Sequence, residues 1–344
     1  MYSPRMKNIT IKDIAAHLGI SHPTVSRALR DHPSIRMETR EQVKQAARKL
    51  GYIPHSGARM LRRTHSDLIG VIFPDVQNDF FSKTMSTLAS AFLQHGFKLV
   101  LATSEDQPAV ELEHIRSLRE ARVAGVIIAP TANLHKEAIE LLSAIPTVQL
   151  LRRHPMLRAP VVALNEGAGI AAAVHHLAGT SHKRIGFIGS PNSLSTGKER
   201  AQGYIRAIRE VSLKVDRSLL KQGPPRPGFG RAAMLELLSL DNPPTAVILA
   251  SPELTLGGLA AVREQRIRVP EQLALIAYHD PDWFQLWGPG ISCLRLPVHD
   301  MASAAVSLLL EQLEPGESAG RARAVSGPAP KTCFDTELIL RGTS

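Results

Sequence analysis

The 344-residue chain is poor in aromatic residues, at 4%, and has only two cysteines. It contains no apolar run of about 18 residues, which excludes a bilayer-spanning helix. Its N-terminal stretch MYSPRMKNITIKD lacks the apolar segment of an export signal, so the sequence predicts a cytoplasmic protein with no membrane partner. Cys293 and Cys333 lie 40 residues apart and match no metal-ligand spacing; two free thiols in a reducing compartment is the reading that follows. Acidic residues are also short, with 31 Asp and Glu against 41 Lys and Arg, a net charge of +10. With 44% hydrophobic and 21% charged residues, the chain is neither disordered nor fibrous, and its length suggests two or three folding units.

The positive charge is concentrated. Residues 1–65 carry 13 basic and four acidic side chains, a charge of +9, which leaves +1 for the rest. A basic head on a nearly neutral body is the asymmetry expected when one end meets a polyanion. A charge excess alone is better met by a solvated helical cap, so the pattern within the head has to decide.

Thr10 can cap a helix with Asp13 in its first turn, where free N–H groups and the helix dipole favour an acid. Ile11, Ile14, Ala15 and Leu18 follow at helical spacing, and Gly19 is placed to end the helix. Ser21 then caps a second helix with Pro23 in its first turn and Val25, Ala28 and Leu29 on its apolar face. A third helix over about 37–50 presents Val43, Ala46, Ala47 and Leu50, with Gly51 to close it. Two short helices joined by Gly-Ile-Ser form a helix-turn-helix, whose second member enters the DNA major groove.

The stretch ITIKDIAAHLGISHPTVSRALRDHPSIRMETREQVKQAARKLGYIPHSGARML resembles the headpiece of lactose-repressor-type (LacI/GalR) transcriptional regulators. TVSRAL, the TRE, AA and LGY strings and the closing AR-L fall in the family's order and spacing. The resemblance implies that Thr10, Ser21, Thr24, Ser26 and Thr39 meet the DNA backbone, which positions the domain without reading sequence. His22, Pro23 and Arg27 would begin the recognition helix, with His22 and Arg27 reading base edges and Arg27 able to grip a guanine bidentately. Tyr52, His55 and Ala58 complete the implied DNA contacts. Residues 53–66 resemble the family's hinge, with Leu61 as the minor-groove wedge. The chain departs from the family at His55, usually Asn, and at Arg36, where a capping Ser is preferred. Gly57 further weakens the hinge helix by about 1 kcal/mol relative to Ala.

Beyond residue 67, apolar runs alternate with helical segments: LIGVIF (68–73), KLVLAT (98–103), GVIIAP (125–130), RIGFIG (184–189), TAVILA (245–250) and LALIAY (273–278). β-Rich runs separated by amphipathic helices indicate buried parallel strands in βαβ units. The series occurs twice around a break near 155–167, which predicts two doubly wound lobes with a ligand cleft at the carboxyl ends of their strands. After ISCLRLP (291–297), a helix over about 298–314 returns to the first lobe.

The resemblance extends through IGVIFPDVQNDFF, ERAQGY, IRVPEQLALIAYHD and TELILRG, and implies a body with the type I periplasmic-binding-protein fold. The expected organisation is an all-α headpiece (1–52), a hinge (53–66) and an α/β effector-binding and dimerisation body (67–344). Its first lobe covers about 67–162 and 295–325, its second about 163–294 and 326–344. Ligand positions carried over from the family are Asn78, Asp79, Phe80, Arg200, Ser251 and His279, with Ser251 replacing the usual Asn and His279 the usual Asp. Leu151 and Leu164 replace commonly acidic positions, and Pro225 lies near that of a stacking aromatic. The cleft thus loses acceptors and holds Arg152, Lys198, Arg200 and His279, which suggests an anionic effector such as a sugar acid or phosphorylated metabolite. A cleft that has lost its ligand, or side chains turned to solvent, fits the same residues equally well.

Other motifs carry no chemistry. GESAG (316–320) has the G-x-S-x-G spacing but follows a helix in a polar stretch rather than a strand. STGKE (195–199) lacks the first glycine of a phosphate loop, which falls on Asn192. His175 and His176 are adjacent on a helix and point apart, so no metal site forms there, and Trp283 and Phe284 read as packing. No nucleophile–base pair emerges, and no cofactor is expected. The sequence therefore reads as a homodimeric, effector-controlled transcription factor, most simply a repressor, on a pseudo-palindromic operator. The alternative is a solute-binding protein of sugar transport, which shares the body but has no use for residues 10–51.

Overall fold

The computed structural model describes residues 9–29, 31–52, 66–314 and 330–344. They fall into two compact units that divide at Thr64 and His65.

The first unit is three short helices, α1 (Ile11–Leu18), α2 (His22–Ala28) and α3 (Met37–Leu50). Local chemistry sets each boundary. Thr10 Oγ1 accepts from the Asp13 N–H at 3.4 Å and Asp13 Oδ2 accepts from the Thr10 N–H at 2.7 Å, a reciprocal capping box. Gly19 and Gly51 end α1 and α3 in the left-handed conformation, at φ 65° and 69°. Ser21 Oγ accepts from the Thr24 N–H and starts α2. Arg36 leads into α3 without any side-chain cap, as its departure from the family's serine implies. Ile14, Val25, Ala28 and Val43 are fully buried where the helices meet.

The second unit contains two six-stranded sheets. The first is built from β1 (Leu68–Phe73), β2 (Lys98–Thr103), β3 (Gly125–Ile128), β4 (Thr147–Leu150), β5 (Val161–Leu164) and β11 (Lys331–Phe334), in the order β11-β5-β4-β3-β1-β2. All its pairings are parallel. The second holds β6 (Ile185–Gly189), β7 (Leu220–Gln222), β8 (Ala246–Leu249), β9 (Ala274–Tyr278), β10 (Ser292–Arg295) and β12 (Glu337–Ile339), ordered β12-β10-β9-β8-β6-β7. Only β12 runs antiparallel, against β10. Central strands such as β3, β6, β8 and β9 are buried along their whole length, which is why they read as unbroken apolar runs.

Helices α4 (Asp79–Gln94), α5 (Pro108–Glu120) and α6 (Lys136–Ser143) connect the first sheet; α7 (Glu166–Gly179), α8 (Ser195–Glu210), α9 (Pro227–Leu238) and α10 (Pro252–Glu264) connect the second. Helix α11 (Val298–Leu313) returns to pack on α4 and β4 of the first lobe. The chain passes between the sheets after β5, β10 and β11.

Three sequence expectations change here. Residues 326–344 were expected in the second lobe, yet β11 pairs with β5 of the first sheet and only β12 joins the second. The first-lobe limit at residue 162 likewise cuts through β5, which belongs entirely to the first sheet. The physical reason is the open edge of buried β5: its N–H and C=O groups need partners, and β11 supplies them. The Val161 N–H donates to Pro330 O at 2.9 Å and the Asn165 N–H to Phe334 O at 2.8 Å. Strand β2, read as a buried run, is instead the half-exposed edge of its sheet, with Val100 and Leu101 both 38% exposed.

Candidate nucleic-acid interface and ligand cleft

In the headpiece, α2 turns Val25 and Ala28 into the core and leaves His22, Pro23 and Arg27 exposed. The Arg27 side chain has no partner among the described residues, so its guanidinium is free for an external acceptor. Ser21 is exposed and Thr24 and Ser26 are half-buried on the same helix, with the Ser21 and Thr24 hydroxyls 2.8 Å apart. Thr10 is exposed at the start of α1, Thr39 sits in the first turn of α3, and Tyr52 packs half-buried against the three-helix core. His55, Ala58 and Leu61 lie outside the described residues, as does GESAG.

In the second unit, a cavity of about 970 Å³ opens between the two sheets, where the N-termini of α4, α8, α9 and α10 meet. Asn78, Asp79, Phe80, Arg200, Ser251 and His279 all line it. So do Leu151, Arg152, Pro225 and Trp283, whereas Leu164 is a core residue and Lys198 is exposed on α8 outside the lining. Phe284, beside Trp283, is buried in the second lobe's core.

Two adjacent residues of the first lobe grip the second. Asn78 caps α4 through Oδ1 and donates from Nδ2 to Glu253 Oε1 at 2.6 Å. Asp79 accepts from His279 Nε2 at 2.7 Å and pairs with Lys83 at 3.0 Å. The His279 hydrogen bond, reinforced by Lys83, holds the Asp79 carboxyl below the ordinary range despite partial burial. A carboxylate only accepts, so Nε2 carries the proton in this pair. Arg153 of the first lobe meets Glu199 of the second at 2.8 Å and donates its backbone N–H to Ser195 Oγ.

Of the cations assigned to the effector, Lys198 lies outside the lining and the other three are already matched. Arg200, 6% exposed, donates from Nε and Nη2 to both oxygens of Glu166 at 2.7 and 2.9 Å, and from Nη1 to Ala250 O. Its guanidinium stacks on the Tyr278 ring at 3.7 Å, and the Tyr278 hydroxyl donates to Glu166 Oε2. Burial opposes the charge on Arg200, yet Glu166 outweighs it and raises the Arg200 pKa above its usual value. Arg152 forks onto Asp106, and His279 is tied to Asp79. The expectation that Arg152, Lys198, Arg200 and His279 give the cleft a positive excess is therefore corrected: three are paired with acids and Lys198 lies outside the lining. Buried charges seek local partners, and the acids that supply them are distant in sequence.

Sequence reasoning missed Glu166, Tyr278 and Glu253. Glu166 sits two residues beyond Leu164, the position at which an acid was judged lost. Glu253, in the first turn of α10, puts a carboxylate in the cleft two residues beyond Ser251, whose own hydroxyl accepts from the Leu254 N–H. Burial, with Asp75 nearby, raises the Glu253 pKa, and its Oε2 is occluded without a partner.

The described residues contain no cluster of three or more His, Cys, Asp or Glu able to hold a metal, and no described helix is long and apolar enough to cross a membrane. A helix-turn-helix unit joined to a two-lobed binding fold defines a DNA-binding regulator with a ligand cleft. Residues 10–55 match the family of bacterial regulatory proteins named for lacI, and residues 174–344 match the periplasmic binding protein-like domain. The repressor CytR of Escherichia coli (strain K12) is 31% identical over 336 residues, 97% of this chain and 96% of its own. The chain belongs to the lacI family. Its fold is that of the lac repressor dimer bound to operator, with a TM-score of 0.80 at 22% identity over 98% of this chain and 99% of that one. The regulator CelR in complex with cellobiose is similar as well, with a TM-score of 0.71 at 25% identity over 98% and 100% of the two chains.

Proposed function

We propose that this protein is a cytoplasmic transcriptional repressor whose homodimer reads a pseudo-palindromic operator and is controlled by an effector held between its two lobes. The observation that carries the reading is α2, capped by Ser21 and pinned by Val25 and Ala28, which leaves His22 and the unpartnered Arg27 exposed. His22 and Arg27 read base edges, while Thr10, Ser21, Thr24, Ser26, Thr39 and Tyr52 position the headpiece on the backbone. His55, Ala58 and Leu61 extend the contact through the hinge into the minor groove.

Exposed apolar side chains on both lobes support dimerisation: Leu93 and the edge-strand residues Val100 and Leu101 on the first, Leu286 on the second. A twofold partner covering these faces would place two headpieces on two half-sites. The four helix N-termini and the paired contacts of Asn78 and Asp79 make the cleft a joint between lobes. An effector seated there biases DNA binding by its difference in affinity between the lobe arrangements that do and do not bind operator. In the related CelR the complex is with cellobiose, which supports a small polar ligand for this cleft too.

The test is selection of bound fragments from genomic DNA by the full chain and by a chain lacking residues 1–65. The full chain enriches discrete sites with twofold symmetry and the truncated chain enriches none. Equal enrichment by both would overturn the regulator reading and favour a solute-binding role for the body.

A further inference from the structure

His279 is buried at 3% exposure, yet its ring finds its partners in the other lobe. Among the described residues these are Asp79 Oδ2, 2.7 Å from Nε2, and the Phe80 ring, edge-on at 6.4 Å. Nδ1 is occluded with no partner at all. The backbone is bent to make this reach. His279 has φ 74°, in the left-handed region, which costs a non-glycine residue energy and persists where the surroundings fix it. Here they do. The His279 N–H donates to Leu294 O at 2.9 Å, and the next residue, Asp280, is held at 2.9 Å by both Arg341 and Arg295. A histidine kept only for packing of the second lobe would find its ring partners there.

The first lobe meets this ring with a matched set. Asp79 stands in the first turn of α4, and Lys83, one turn on, lies 3.0 Å from it. Lys83 also reaches Asp282 of the second lobe at 3.5 Å, but the Asp282 side chain is 95% exposed, so this outer bridge is screened and contributes little. The pair of Arg153 and Glu199, partly exposed on both sides, is of the same weak kind. The bond between Asp79 and His279 differs. Parting the lobes strands the Nε2–H of a buried ring and takes from Asp79 its closest partner, and hydrogen bonds to charged groups are among the costlier ones to break.

We infer that Asp79 and His279, supported by Lys83, form a latch that holds the two lobes together through the protein's own side chains. Both residues are thereby assigned to closure rather than to holding the effector. The latch rests on the regulator reading for its biological use, though not for its chemistry. The lobe equilibrium on which an effector acts already carries a contribution from the chain itself.

One backbone group reports on the lobes without touching the latch. The Arg153 N–H of the first lobe donates to Ser195 Oγ of the second at 3.0 Å, so parting the lobes frees it for exchange with deuterium. Exchange is followed in the full chain at this amide and at that of Val126, which donates to Pro146 O within the first sheet. His279→Asn puts in a residue that tolerates the left-handed backbone but is too short to cross to Asp79. Asp79→Ala removes the acceptor. Each speeds exchange at Arg153 by roughly tenfold or more, as expected for loss of a hydrogen bond to a charged group, and leaves Val126 unchanged. The double variant goes no further than the faster single one, because both remove the same bond. Unchanged exchange at Arg153, equal acceleration at Val126, or additive acceleration in the double variant overturns the latch. Selection of DNA fragments by the parent chain is independent of that result and judges the regulator reading separately.

Discussion

In the headpiece Arg27 stands exposed with no carboxylate paired to it among the described residues, whereas in the cleft Arg152 and Arg200 are 7% and 6% exposed and each is matched to an acid. The same residue type thus serves opposite ends. A solvated guanidinium keeps its donors for a partner and costs the fold little when removed. A buried one must be neutralised at home, and its partner becomes part of the structure. Charge counted along the sequence measures the first situation well and the second badly.

Breaking one of the buried pairs should have the largest effect. Glu166→Gln leaves Arg200 charged, buried and without a carboxylate, so urea unfolding should show a loss of roughly 3–5 kcal/mol. A loss below 1 kcal/mol, on the order of a surface pair, would show that Arg200 is not held as described. Arg27→Ala should do the reverse. Stability stays within about 0.5 kcal/mol, as for surface positions, in a melting experiment. Discrimination at the base pair it reads falls by about 1–3 kcal/mol across a panel of operator variants. Uniform weakening over the panel would move Arg27 from base reading to backbone contact.

The smallest effect concerns Glu253. Its carboxyl is shifted upward by burial, with Asp75 adding to the shift, so the folded state holds this proton more tightly than the unfolded chain does. The stability from this group is fully present below the unfolded value near 4.5 and is lost as pH rises through the raised folded value. Glu253→Gln should remove that dependence and slightly stabilise the protein at neutral pH, with the hydrogen bond from Asn78 retained. Asp79, shifted downward chiefly by His279, acts in the opposite sense: its contribution is present above the ordinary value near 3.8 and fades as pH falls through the lowered one. Stability profiles of Glu253→Gln and Asp79→Asn therefore diverge from the parent in opposite directions, and parallel profiles would contradict the assignment.

How far the sequence could be read follows from the range of the interactions. Thr10 with Asp13, Ser21 with Thr24 and Gly19 after Leu18 act within a few residues, so the headpiece helices were legible in detail. The apolar runs of β1, β3, β6, β8 and β9 were equally plain, because strands buried on both faces admit little else. Strand β11 was not. Its alternating exposure hides its membership of the first sheet, and only the open edge of β5 assigns it. Family resemblance pointed to Asn78, Asp79, Phe80, Arg200, Ser251 and His279, and all six line the cavity. How they pair was not legible, because Glu166 lies 34 residues from Arg200 and Asp79 lies 200 from His279.

The sequence by itself therefore determined the modules: a capped, basic helix-turn-helix unit and a two-lobed α/β body, each written in short-range patterns of apolar spacing and capping residues. Tertiary structure alone decided which charges in the cleft are already spent and which polar groups are left open. That outcome depends on distances between residues far apart in the chain, where burial makes every unmatched charge costly.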